Sequence, residues 1–120
     1  MDKISMKILN DILAPCIGTE SYHKDFTGVV YTDGVKLMAE TAQAYWLITA
    51  IGSVQKEKKL FLLPFQLWTI IAKDGKAVIE CREDSDEPIK YKQEIEFTTF
   101  PDGQMKFYLI DNVLLLTSEY

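Results

Sequence analysis

Four carboxylates in this sequence fall where their neighbours are apolar or turn-forming: Glu20, Asp33, Glu40 and Glu119. Two such groups held together could divide acid and base work, provided burial raised the pKa of one of them. Tyr22 and Gln66 would complete the lining of a pocket for a small ligand or a hydrolysable substrate. Each acid also has a structural reading. Asp33, or Thr32 before it, stands where a helix N-cap is expected, its side-chain oxygen satisfying a free backbone N–H. Glu20 could satisfy backbone groups of its loop, and Glu40, at the margin of an apolar stripe, requires a hydrogen-bond partner.

Other reactive residues are sparse. His23 is the chain's one histidine; without a second histidine or a nearby cysteine pair it offers no conventional zinc set, and no metal or other cofactor is expected. Cys16 and His23 flank one predicted loop and could pair as nucleophile and base. The simpler reading is that Cys16 packs behind Pro15 and His23 bonds a carboxylate such as Glu20. Cys81 lies in an alternating strand pattern, as an ordinary buried thiol does. The acidic loop Glu83 to Glu87 lacks the turn glycine and terminal glutamate of a calcium loop, and the glycines are scattered singly rather than gathered into a phosphate loop.

Composition narrows the class of protein that could hold these residues in place. At 120 residues and 48% hydrophobic, the chain can build one core without disulfides, and a single domain over 1–120 is expected. A net charge of −5 argues against nucleic-acid binding, which relies on Lys and Arg neutralising phosphates. The longest purely apolar run, Leu60 to Phe65, is far short of the roughly 20 residues of a membrane span. Charges of both signs from Met1 to Lys7 leave no apolar leader segment, so a cytoplasmic location is expected.

The positioning elements follow from periodicity. Ile4, Ile8, Leu9, Ile12 and Leu13 have helical spacing, stopped by Pro15 and Gly18. A second, long helix from about Gly34 to Val54 carries two apolar stripes: Val35, Met38, Ala42 and Trp46 on one side, and Leu37, Ala44, Leu47, Ile48 and Ile51 on the other. One stripe should meet a sheet, the other the first helix or another subunit. Asp74-Gly75 predicts a type I′ hairpin that sets Ala72 against Ala77, Ile70 against Ile79 and Trp68 against Cys81. A cleanly alternating strand runs from Ile89 to Phe97, and Asp111-Asn112 closes a last hairpin. Trp46, Trp68, Phe97 and Phe107 fall on core faces, whereas Tyr22, Tyr31, Tyr108 and Tyr120 reach outward. Leu60 to Leu63 reads as core in preference to a sticky surface. The expected class is α+β, with two N-terminal helices on one face of a five- to six-stranded antiparallel meander, Val29 to Tyr31 supplying the sixth strand.

Several short segments resemble a family of small bacterial proteins, some carried on mobile elements or phages, known as a domain of unknown function. They are Gly18-Thr19-Glu20-x-Tyr22, Tyr31-Thr32-Asp33-Gly34-Val35, Ala44-Tyr45-Trp46-Leu47, Phe65-Gln66-x-Trp68 and Ser118-Glu119-Tyr120. The resemblance implies a shared fold and brings no activity with it. The leading expectation is a small interaction or regulatory module, such as a phage- or plasmid-borne accessory protein modulating a host protein. Its partner would be another protein or a second copy, with Tyr120 among the contact residues, since exposed tyrosine suits binding surfaces. The alternative is the ligand binder or hydrolase with a carboxylate-lined pocket.

Overall fold

A computed structural model describes residues 3–120. Met1 and Asp2, part of the segment read above as lacking a leader, lie outside them. The class is α+β: three α-helices and a seven-stranded mixed sheet. Helix α1 spans Met6–Leu13 and is capped by Ser5, whose hydroxyl accepts from Ile8 N at 3.2 Å. Strands β1 (Tyr22–Lys24) and β2 (Val30–Thr32) precede α2 (Asp33–Ala42) and α3 (Tyr45–Glu57). A short 3₁₀ turn at Leu60–Leu62 leads into β3 (Phe65–Lys73), β4 (Lys76–Arg82), β5 (Ile89–Ile95), β6 (Gly103–Ile110) and β7 (Val113–Leu116), and a second such turn spans Thr117–Glu119. Among the described residues no helix is long and apolar enough to cross a membrane.

The hairpin forms in the register that its loop dictates. Asp74 and Gly75 both adopt positive φ, at 53° and 81°, as a two-residue type I′ loop requires, and Trp68↔Cys81, Ile70↔Ile79 and Ala72↔Ala77 face each other. The same face continues into β6 and β7 through Trp68↔Phe107, Ile70↔Met105 and Leu109↔Leu114. Those residues form one buried cluster with Leu9, Val35, Met38, Leu47, Ile48 and Ile51 of the helices. The core therefore lies between the helices and a single sheet face.

The strand order departs from a meander. It is β1-β2-β7-β6-β3-β4-β5, so β6 pairs with β3 and leaves β5 at an edge. Alternation fixes which face a strand buries, but not which neighbour it takes. The expected sixth strand, β2, lies parallel to β7, and β1 adds a seventh. Phe97, expected in the core, falls beyond the end of β5 and is 82% exposed.

The long helix is two. Gln43 enters the left-handed region at φ 54° and ends α2, and α3 starts afresh at Tyr45. The break rotates the second segment, so residues of both predicted stripes, Val35 and Met38 as well as Ala44, Leu47 and Ile51, reach the same core. Neither stripe is left for another subunit. The Leu60 to Leu63 run also divides: Leu60 is buried, while Phe61 and Leu62 are 57% and 66% exposed.

Gln66 closes a polar cluster set deep in this core. Its Oε1 accepts from Trp68 Nε1 at 2.9 Å and Gln55 Nε2 at 3.0 Å, and its Nε2 donates to Gln55 Oε1 and Leu60 O, both at 2.8 Å. Removing one member strands buried donors and acceptors. Urea unfolding of Gln66→Leu should show a loss of about 2–4 kcal/mol.

Candidate functional site

The first turn of α2 gathers several polar side chains, because a helix N-terminus leaves backbone N–H groups without partners. Thr32 is the N-cap, its Oγ1 accepting from Val35 N at 3.2 Å. The same hydroxyl donates to Glu119 Oε1 at 2.6 Å. Glu119 also accepts from Leu116 N at 2.9 Å and, through Oε2, from Gly34 N at 3.2 Å. Gly34 is required by this approach: a Cβ there would lie 2.7–2.8 Å from the Glu119 carboxyl atoms.

Asp33 works in the opposite direction, toward the loop before β1. Its Oδ2 accepts from Glu20 N and Ser21 N, both at 3.1 Å, and its Oδ1 from His23 Nε2 at 2.8 Å. The Asp33 N–H donates to Thr19 Oγ1 at 2.9 Å, and that hydroxyl donates to Ser21 O at 2.6 Å. The hydrogen bond from His23 holds the Asp33 carboxyl below its ordinary range; the two backbone N–H groups act in the same direction, against an opposing effect of burial. Two carboxylates at a helix N-terminus also meet the positive end of its dipole.

The residues singled out in the sequence thus meet only in part. Asp33 and Glu119 belong to this cluster, and Glu20 joins it through its backbone. Tyr22 pairs with Thr32 across β1 and β2, its side chain 63% exposed. Glu40 lies nearly two turns further along α2, accepting from the Tyr45 hydroxyl at 3.2 Å and 3.9 Å from Lys36 Nζ; burial first, and then the Glu40 hydrogen bond, pushes the Tyr45 phenol up. Gln66 is in the core, and Tyr120 stacks edge-on against Phe65 and Tyr108 at 6.4 and 5.3 Å. None of these seven residues lines the clefts of about 400 and 540 Å³ at α1 and α3, and Gln66 alone borders a smaller one of about 80 Å³ beside Phe61 and Asp111.

His23 bonds Asp33, not Glu20. Thr19 enters the sequence reading only within the Gly18-Thr19-Glu20 motif; its place there marks a loop but does not reveal the helix end it serves. A His–Asp pair could poise a nucleophile, yet burial, with Glu119 and Asp33 adding to it, raises the Cys16 thiol pKa, the reverse of activation. Cys81 is pushed up to about 12 by burial. Among the described residues no three His, Cys, Asp or Glu side chains are grouped to hold a metal ion. The chemistry this arrangement performs is helix capping.

A family model described as a family of unknown function, DUF6876, matches residues 7–120. The chain belongs to that family. No curated protein and no solved structure matches it. In this DUF6876 chain the matched region takes in every helix but the first residue of α1, the whole sheet and the cap cluster.

Two predictions follow from the capping geometry. Gly34→Ala should destabilise the DUF6876 chain by about 1–3 kcal/mol by evicting the Glu119 carboxylate. In a Glu119→Ala background the same substitution should be neutral or stabilising, because alanine is the better helix former; a double-mutant cycle by chemical unfolding reads the change of sign. Asp33 has a lower pKa folded than unfolded, so its contribution is complete above the ordinary value of 3.8 and is lost as pH falls through the folded value. Unfolding midpoints measured below about pH 4 should therefore drop more steeply for the unmodified chain than for Asp33→Asn.

Proposed function

We propose that this chain is a small protein-interaction module whose contact surface is the end of the molecule around the Leu60–Leu62 turn. One observation carries this reading: buried Leu60 anchors the turn, while Phe61 and Leu62 stand exposed side by side. Phe61 borders the cleft of about 540 Å³, together with Thr27, Gly28, Gly52 and Lys56. Phe26, next to Thr27, is 87% exposed. Apolar side chains fixed on a rigid support mark a contact site, since water is their poorest neighbour.

Charge selects the partner. Lys56 lines the cleft, Lys58 and Lys59 are exposed just before the turn with Glu57 3.9 Å from Lys58 Nζ, and at physiological salt charges act over only about 8–10 Å. Three lysines against Glu57 leave a local positive excess in the 56–59 segment, which at that range counts for more than the chain's net −5 and favours a partner segment with apolar anchors and acidic flanks. Carriage on a phage or plasmid, with a host protein as that partner, is the form of the proposal suggested by the family resemblance. The free thiols Cys16 and Cys81 suit a reducing cytosol.

The ligand-binding alternative gains less support, because Asp33 and Glu119 each already accept three hydrogen bonds, while Glu40 lies apart from them, bonded to Tyr45. In affinity capture from host lysate followed by titration with the purified partner, the double variant Phe61→Ser, Leu62→Ser should lose binding at least tenfold while keeping its thermal midpoint. Added salt should weaken the unmodified complex. Equal binding by the variant would overturn the assignment of this surface.

A further inference from the structure

The sheet ends on two unlike edges. β1 is three residues long, whereas β5 is seven, and among the described residues no backbone group pairs with its outer side. An open edge of that length can template pairing with another chain. Which of its groups face outward follows from register. Lys73 and Lys76 flank the two-residue loop as a hydrogen-bonded pair, and bonded and non-bonded pairs alternate from there. On β4, Ala77, Ile79 and Cys81 thus bond toward β5, opposite Ile95, Gln93 and Tyr91. Lys92 and Glu94 are left with their N–H and C=O groups directed to the open side. Their side chains are exposed, on the sheet face away from the helices.

We propose that a second copy of this chain pairs antiparallel with β5 about a two-fold axis at Gln93, joining the two sheets into one. Charge selects this register. Outward backbone groups must meet outward groups, so pairings centred on Lys92, Gln93 or Glu94 are the nearest choices. The first sets Lys92 against Lys92 and the last Glu94 against Glu94, both repulsive. Centred on Gln93, each Lys92 faces the partner's Glu94, each Lys90 lies toward the partner's Glu96, and Tyr91 covers the partner's Ile95 on the helix side. Of the three registers, this one alone sets no like charges face to face. The contact is isologous and does not depend on the cleft at the 3₁₀ turn.

Sedimentation velocity from about 10 µM to about 1 mM spans the range of a weak edge contact, and the unmodified chain should pass from monomer to dimer within it. Lys92→Glu and Glu94→Lys should each weaken self-association about tenfold or more. Mixing the two variants should restore it, as should combining both reversals in one chain. In hydrogen exchange, the Lys92 and Glu94 amides of the unmodified chain should slow on concentrating while those of β1 do not; this measurement decides alone if a reversal fails to fold. A monomer at every concentration, or a dimer indifferent to both reversals, would overturn the proposal.

Discussion

A single carboxylate near the end of the chain fastens the helical layer to the sheet. Glu119 bonds Thr32, 87 residues earlier, the first turn of α2 at Gly34, and the end of β7 at Leu116. Around it the two chain halves are sewn together: β2 runs parallel to β7, Val30 N donates to Asn112 O at 3.0 Å, Asn112 Nδ2 to Gly28 O at 2.9 Å, and Ser118 Oγ to Cys16 O at 2.7 Å. A parallel pair needs a long crossover, and here almost the entire fold is that crossover. The direction in which α2 leaves β2 fixes where the helices lie, and the Glu119 carboxylate holds that direction.

Local chemistry was legible in the sequence, and non-local pairing was not. Asp74-Gly75 determines one loop conformation, and from it every facing pair of β3 and β4 follows. The Asp111-Asn112 hairpin behaves alike, with φ of 50° and 69°. By contrast, nothing in the alternation of β6 distinguishes β3 from β5 as its neighbour, since either choice buries the same side chains. β1, Tyr22-His23-Lys24, is too short and polar for a strand pattern to emerge. The break at Gln43 carries no glycine or proline to announce it.

The same division runs through the cap cluster. Thr32 and Asp33 could be read as capping residues because a cap acts within one turn. That Glu119 would share the Thr32 hydroxyl, or that Asp33 would reach back to Glu20, Ser21 and His23, depends on contacts 10 to 87 residues apart. Gly34, read from sequence as the start of the second helix, is small because a carboxylate occupies the space where its side chain would stand.

Hydrogen bonding decides which groups remain free for a partner. Asp33 and Glu119 each accept three hydrogen bonds, and Gln66 and Gln55 satisfy one another. A ligand competing for such groups would first have to displace bonds whose loss costs about as much as a new bond contributes. Exposed apolar side chains face no such competition, and neither do the open backbone groups of an edge strand, whose present partner is water. In Phe26, Phe61 and Leu62, and along the outer side of β5, association exchanges water for protein without breaking any bond the fold depends on. The surface that folding has left uncommitted, and not the polar cluster at the start of α2, is where both proposed contacts lie.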